Sequence, residues 1–289
     1  MDEIKKISIE NKEYPLLLKK IKGGPKVLYC RGEILPKENC FAVVGSRLCS
    51  PYGKQAALEI AGDLAGAGLT VVSGLAPGID TFAHTAVVER KRRTIAVLGT
   101  GLDEKSIYPQ SNLKLSEKIL ETGGCLISEY PPGTRGTQFT FPQRNRIISG
   151  LSSGVLVVEA KQKSGALITA VWAKNQGRKI FAIPGSVYSL NSKGCHYLIK
   201  RGAKLVENAD DILSELNLGM LRSNLNIPFG GENEEENLIL GALKEGALDI
   251  DKIIEKTKLS ASKIASTLAI LEIKGKVRNL GGNIFALKS

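Results

Sequence analysis

Six short runs of apolar, β-branched residues, most of them running into Gly or a small hydroxyl residue, constrain this chain more than any other feature. They are FAVV (41–44), LTVVS (69–73), TIAVLG (94–99), CLIS (125–128), VLVVEA (155–160) and KIFAIPG (179–185). None alternates apolar with polar residues, so each reads as a strand buried on both faces. Between most of them lie stretches of helical spacing, at 52–67, 79–90, 112–122 and 166–176. Strand and helix in alternation predict an α/β fold, a doubly wound and mainly parallel sheet with right-handed crossovers.

Residues 1–40 precede this pattern and read as an N-terminal helix and turn packing on the sheet domain, which is expected to span 41–217. Segment 218–235 loses periodicity and collects Asn, Gly and Glu, the composition of a linker. Residues 236–289 offer three short amphipathic helices and a hairpin turning at Gly281-Gly282, the pattern of a small winged-helix domain.

The formal net charge is +11, which points to a polyanionic partner. Residues 236–289 carry nine Lys or Arg against six acids, so most of the excess lies in the α/β part. No apolar run approaches the roughly 18 residues of a membrane span, and the N-terminus lacks an apolar signal core, so no membrane association and a cytoplasmic location are expected. Five scattered cysteines without a CxxC pair indicate neither zinc nor a disulfide framework, and two histidines exclude a multi-histidine metal site.

Ligands of open parallel sheets bind beyond the carboxyl ends of the strands, and here those ends read VVGSR, VVSGLAPGID, VLGTGLD, ISEYPPGTRG, VEAKQKSG and IPGSV. Glycine permits close backbone approach, and helix N-termini present free N–H groups, a combination suited to phosphate. A P-loop is absent, because seven residues separate Gly45 from Gly53-Lys54 and Gln55 follows. A dinucleotide fingerprint is half met at Gly99-Thr100-Gly101 and fails at Glu104, so no cofactor is expected.

Gly45-Ser46-Arg47 sets a guanidinium fork beside backbone donors, which suits a phosphodiester, although Arg47 could instead cap a neighbouring helix. The segment 139–146 interleaves Phe139 and Phe141 with Arg144, Asn145 and Arg146, so that bases can stack on rings while arginines hold the backbone. Its structural alternative puts the rings in the core and one arginine in an ion pair. Lys161 and Lys163 flank a helix start at Ser164 and Gly165, with Ser164 as its expected N-cap. The run Arg90-Lys91-Arg92-Arg93 is read as a solvated helix end, and His84 as a packing residue.

As a set, VVGSR, SGLAPGIDTFAHTAV, VLGTGLDEKSIYPQSN, FPQRNRIISGLS and VEAKQKSGALITAVWAKNQGRKIFAIPG resemble the DNA-processing protein A (DprA/Smf) family, over roughly residues 14–289. The ending LAILEIKGKVRNLGGNIFAL is similar to the winged helix that many members carry. The resemblance implies an extended Rossmann-like domain that binds single-stranded DNA without catalysis, forms a homodimer, and loads the RecA recombinase during natural transformation. By position it implies DNA contacts at Gly45, Ser46, Arg47, Phe141, Arg144, Asn145 and Arg146, with Lys161 as a weaker match. It also implies subunit pairing near Tyr197, Ile212 and Leu213. With thirteen residues before Tyr14-Pro15, the extra N-terminal helical domain of some members is expected to be missing.

Two other classes compete. A nucleotide-processing, phosphoribohydrolase-like enzyme on the same scaffold would carry PGGxGTxxE, whereas residues 132–139 read PGTRGTQF and lack the paired Gly and the acid. A sequence-specific regulator acting through the winged helix is weakened by the small charge of residues 236–289.

Overall fold

A computed structural model describes residues 3–218, 231 and 233–287. The chain divides into two compact units, residues 1–223 and 224–289, and the expected linker 218–235 lies mostly outside the described residues.

The first unit is built on a nine-stranded sheet. Its strands are β1 (Lys5–Ser8), β2 (Val27–Gly32), β3 (Cys40–Val44), β4 (Thr70–Ser73), β5 (Thr94–Leu98), β6 (Cys125–Ser128), β7 (Gly154–Val157), β8 (Lys179–Ala182) and β9 (Lys204–Leu205). The spatial order is β1-β2-β6-β5-β4-β3-β7-β8-β9, and from β6 to β9 every pairing is parallel. β3 to β7 are buried at every residue, as continuous apolar runs require of a sheet covered on both faces. The chain winds outward from β3 through β4, β5 and β6, then returns to lay β7 on the other side of β3. That reversal makes the β3/β7 pair the topological switch point, where ligands of doubly wound sheets bind.

The helices α2 (Pro51–Gly66), α3 (Ile79–Glu89), α4 (Leu113–Glu121), α5 (Thr140–Leu151), α6 (Gly165–Asn175), α7 (Lys193–Ile199) and α8 (Ala209–Glu215) cover the faces, and α1 (Leu16–Lys19) is a single turn. One core layer unites Val44, Ile147, Val157 and Ala170, and the opposite layer unites Val43, Leu64, Ile79 and Leu213.

The structure corrects the expectation for the N-terminal residues. They contribute two strands to the sheet rather than only a helix and turn, with β2 antiparallel to β6 and β1 antiparallel to β2. The register sets Tyr29 opposite Ser128 and Gly32 opposite Cys125. KKIS and VLYCRG are short and mixed in polarity, and they become strands because β6 otherwise ends the sheet.

In the second unit α9 (Glu234–Ala242), α10 (Ile250–Thr257) and α11 (Ala261–Ile273) pack with strands β10 (Leu248–Asp249), β11 (Val277–Gly281) and β12 (Ile284–Leu287), in sheet order β10-β12-β11. Asn233, Asp249 and Ser260 each accept a backbone N–H at the start of one helix. The hairpin turns on Gly282 and Asn283, both at φ 60°, one residue beyond the expected Gly281-Gly282. Such a two-residue turn needs left-handed backbone at both positions, which Gly and Asn tolerate. Buried Glu236 pairs with Lys274 at 2.6 Å.

Cys30, Cys40, Cys125 and Cys195 are buried and Cys49 is half-buried, all as free thiols. Among the described residues no His, Cys, Asp and Glu group could hold a metal ion, and no helix is long and apolar enough to cross a membrane.

Candidate functional site

Beyond the C-terminal ends of β3 and β7 lies an open cavity of about 460 Å³. Its wall comprises Val44 at the end of β3 and residues 45–48 after it, Ala76 of the β4–α3 connection and Asp80 of α3, Phe141, Pro142, Arg144 and Asn145 of α5, and Lys161, Lys163, Ser164 and Gly165 leading into α6. Gly45, Ser46, Arg47, Phe141, Arg144, Asn145, Lys161, Ser164 and Gly165 are thus brought together; Arg146 is not.

Two glycines let the loops close on one another. A Cβ on Gly45 would run into the Ile79 side chain. Gly78, at φ 80°, sits against the Ser46 and Arg47 carbonyls where no side chain fits. The adjacent Ile79 N–H donates to the Ser46 carbonyl at 3.1 Å. Ser46 is buried and its Oγ accepts the Leu48 N–H at 3.2 Å, which turns the loop and leaves Arg47 exposed.

The Arg47 guanidinium lies 5.6 Å from the Phe141 ring centroid, and Phe141 in turn meets Tyr108 at 5.4 Å. Arg47 makes neither a hydrogen bond nor an ion pair among the described residues, so its planar donors are presented outward. Tyr108 was missed in the sequence: IYPQSN belongs to the family pattern, but nothing local shows that its ring reaches a segment thirty residues on. Phe139 is exposed and stands at the N-cap of α5.

The other basic residues of α5, Arg144 and Arg146, expected from the sequence to contact DNA or, for one of them, to form an ion pair, both turn inward. Arg144 is 4% exposed and donates to the carbonyls of Gly74, at 2.6 Å, and Val97. Its Nε has no partner among the described residues, and it forms part of the cavity floor. Burial lowers its pKa to about 10, so it stays charged at neutral pH. Arg146 bonds Glu129 at 2.6 Å and the Gly23 carbonyl at 3.0 Å, tying α5 to the N-terminal segment. Asn145 donates to the Gly165 carbonyl at 3.1 Å and so positions the start of α6.

In the cavity wall, burial raises the pKa of the Asp80 carboxyl against the opposing influence of Arg144. Burial and the Arg144 charge push His84 down to about 3, which keeps it neutral. His84 hydrogen-bonds Thr94 at 2.9 Å, in keeping with a packing role.

The helix starts at α2 and α6 are not equivalent. The N-terminus of α2 already holds an anion: buried Glu159 accepts the Ser50 N–H at 2.9 Å and the Ser50 hydroxyl at 2.5 Å. A carboxylate there satisfies the positive end of the helix. At α6 the N-cap residue is Ser164, as expected, but its side chain makes no capping bond and its Oγ is buried without a partner among the described residues. A Cβ on Gly165 would meet nothing within 4 Å. Lys161 and Lys163 flank this end, exposed and without hydrogen bonds or ion pairs among the described residues. The anion-accepting surface is therefore Arg47, Lys161, Lys163 and the first N–H groups of α6.

The family model described as DNA recombination-mediator protein A matches residues 5–217, and that of the DprA winged helix domain matches residues 231–283. The chain is 44% identical over 215 residues to the DNA processing protein DprA of Bacillus subtilis (strain 168), covering 74% of this chain and 71% of that one. It is 36% identical over 294 residues to the protein Smf of Escherichia coli (strain K12), covering 98% and 77%. The crystal structure of DprA from Streptococcus pneumoniae superposes with a TM-score of 0.69 at 44% identity, covering 74% of each chain. DNA processing protein A from Helicobacter pylori, whose structure concerns its single-stranded DNA binding mode, superposes with a TM-score of 0.65 at 29% identity, covering 75% of this chain and 98% of that one.

Proposed function

The chain belongs to the DNA recombination-mediator protein A family, and from that premise we propose that the cavity at the β3/β7 switch point is a binding site for single-stranded DNA. The observation that carries the reading is the set of uncommitted donors at one rim, Arg47, Lys161, Lys163 and the N-terminus of α6. The Phe141 ring stands 5.6 Å from the Arg47 guanidinium with Tyr108 against it, and Phe139 is exposed at the start of α5. A single strand offers phosphates to the first set and base faces to the second, whereas a duplex keeps its base faces stacked inside. The H. pylori relative, whose structure concerns single-stranded DNA binding, supports the same reading.

The site binds rather than hydrolyses. Asp80 is the one carboxylate among the cavity-lining residues, and it is buried and accepts the Gly74 N–H at 3.0 Å. Among the described residues that line the cavity, no second acid accompanies it. In the wider reading the protein works in the cytoplasm, where it shields incoming DNA and passes it to the RecA recombinase during natural transformation. The family's description as a recombination mediator supports that role.

Oligo(dT) is expected to bind more tightly than duplex of equal length in gel shifts. Arg47→Ala should weaken oligo(dT) binding about tenfold, the loss of one charge-assisted contact of roughly 1.4 kcal/mol. The log-affinity against log-salt slope should flatten by about 0.7, one phosphate's share for a single strand. Equal duplex affinity, or an unchanged slope, would overturn the assignment.

A homodimer is part of the same proposal, but its interface is placed differently from the sequence expectation. Ile212 and Leu213 are 0% and 1% exposed and pack in their own subunit's core with Val206 and Ala209, so they are unavailable to a partner. Tyr197 and Leu205 are 43% and 42% exposed, and Leu205 lies on β9, the open edge of the sheet. Leu205→Arg is expected to give a folded monomer, read by light scattering with circular dichroism. An undiminished dimer would exclude this edge.

A further inference from the structure

The loop after β8 exposes apolar side chains that no element of the first unit covers. Val187, Tyr188 and Leu190 are all exposed, Tyr188 to 93%. Leu48 on the β3–α2 connection and Tyr52 in the first turn of α2 are exposed as well. The two segments are fastened together: Asn191 Nδ2 donates to the Leu48 carbonyl at 3.0 Å, and the Tyr52 hydroxyl donates to the Pro184 carbonyl at 2.7 Å. Asn191 also reaches Glu159 at 3.3 Å, the carboxylate that holds Ser50. The patch is therefore a braced surface rather than a loose tip. Isolated exposed apolar residues are ordinary, but several on two segments fastened to one another mark a contact surface.

We infer that this patch is a base-stacking platform that takes nucleobases of a single strand leaving the cavity, with Tyr188 as its principal ring. The inference rests on the single-stranded reading of the cavity. Continuity chooses the occupant: Leu48 belongs both to the patch and to the cavity wall, next to Arg47 in the chain. Charge agrees, because Arg47, Lys161 and Lys163 on the cavity side and Lys193, whose Nζ donates to the Val187 carbonyl at 2.6 Å, make the surroundings basic. A strand whose phosphates follow those cations must turn its bases somewhere, and an exposed tyrosine ring stacks any base without sequence preference.

The test compares full-length wild type, Tyr188→Ala and Tyr188→Phe by fluorescence anisotropy on oligo(dT) of two lengths. One of about four nucleotides fills the cavity only, and one of about sixteen extends past it. Tyr188→Ala should lose about tenfold on the longer strand and nothing measurable on the shorter. Its salt slope should match wild type, since no phosphate contact is removed. Tyr188→Phe, which keeps the ring, should bind like wild type. Wild-type affinity for the long strand in Tyr188→Ala, or an equal loss on both lengths, overturns the platform while leaving the cavity standing. A change of oligomeric mass in Tyr188→Ala without DNA assigns the patch to a second copy and overturns it too. Failure of wild type to bind either strand overturns both readings. At 93% exposure the substitution does not threaten the fold.

Discussion

Leu213→Arg is expected to unfold the first unit rather than to release a stable monomer. The side chain is 1% exposed on α8, inside the core layer that holds Leu64, Val71, Val206 and Ile212. Removing a buried leucine costs about 2–3 kcal/mol in lost burial alone. An arginine in its place brings an unpaired charge whose burial costs several kcal/mol more. The sum is comparable with the whole stability of a domain, roughly 5–15 kcal/mol. Circular dichroism should show lost helix signal or a thermal midpoint lowered beyond recovery by salt. A folded protein of wild-type stability would mean that α8 does not pack as described.

Arg144→Ala should be the most damaging change at the cavity, and chiefly through stability. The guanidinium satisfies the Gly74 and Val97 carbonyls, and its charge opposes the burial that raises Asp80. Its loss removes two buried hydrogen bonds from a charged donor, at about 1.5–3 kcal/mol each, and leaves Asp80 without its nearby cation. A combined cost of about 3–5 kcal/mol is expected in urea unfolding, as for other buried charges deprived of a partner. Asp80→Asn in the same background should recover part of it, because a neutral amide does not need the cation and can still accept the Gly74 N–H. An Arg144→Ala protein as stable as wild type but deficient in DNA binding would return Arg144 to the role of a direct contact. Arg47→Ala is the counterpart: its side chain is exposed and holds nothing inside, so binding should fall while the thermal midpoint stays.

The difference between these two arginines shows where the sequence ceased to be sufficient. Gly45-Ser46-Arg47 follows a strand that is apolar throughout, so its place at the sheet crest was set by local pattern. In α5 the side chains of Arg144 and Arg146 depend on the phase of the helix and on a carboxylate and carbonyls 17 to 123 residues away. No spacing rule contains those partners. The same holds for α2, whose N-terminus is occupied by the carboxylate of Glu159, 109 residues distant in the chain. Ser164, by contrast, was recognisable as a helix start, but only packing decided that its hydroxyl would stay uncommitted.

Taken alone, the sequence determined the buried strands, the winding of the sheet, the cations at its crest and the winged-helix pattern at the end, because runs of β-branched residues, glycines and helical periods act over a few residues. Only the tertiary structure decided that β1 and β2 join the sheet, that Ile212 and Leu213 face their own core, and which donors remain free. Strand pairing, burial and hydrogen-bond partnership are settled by what the fold sets side by side, and distance along the chain does not determine it.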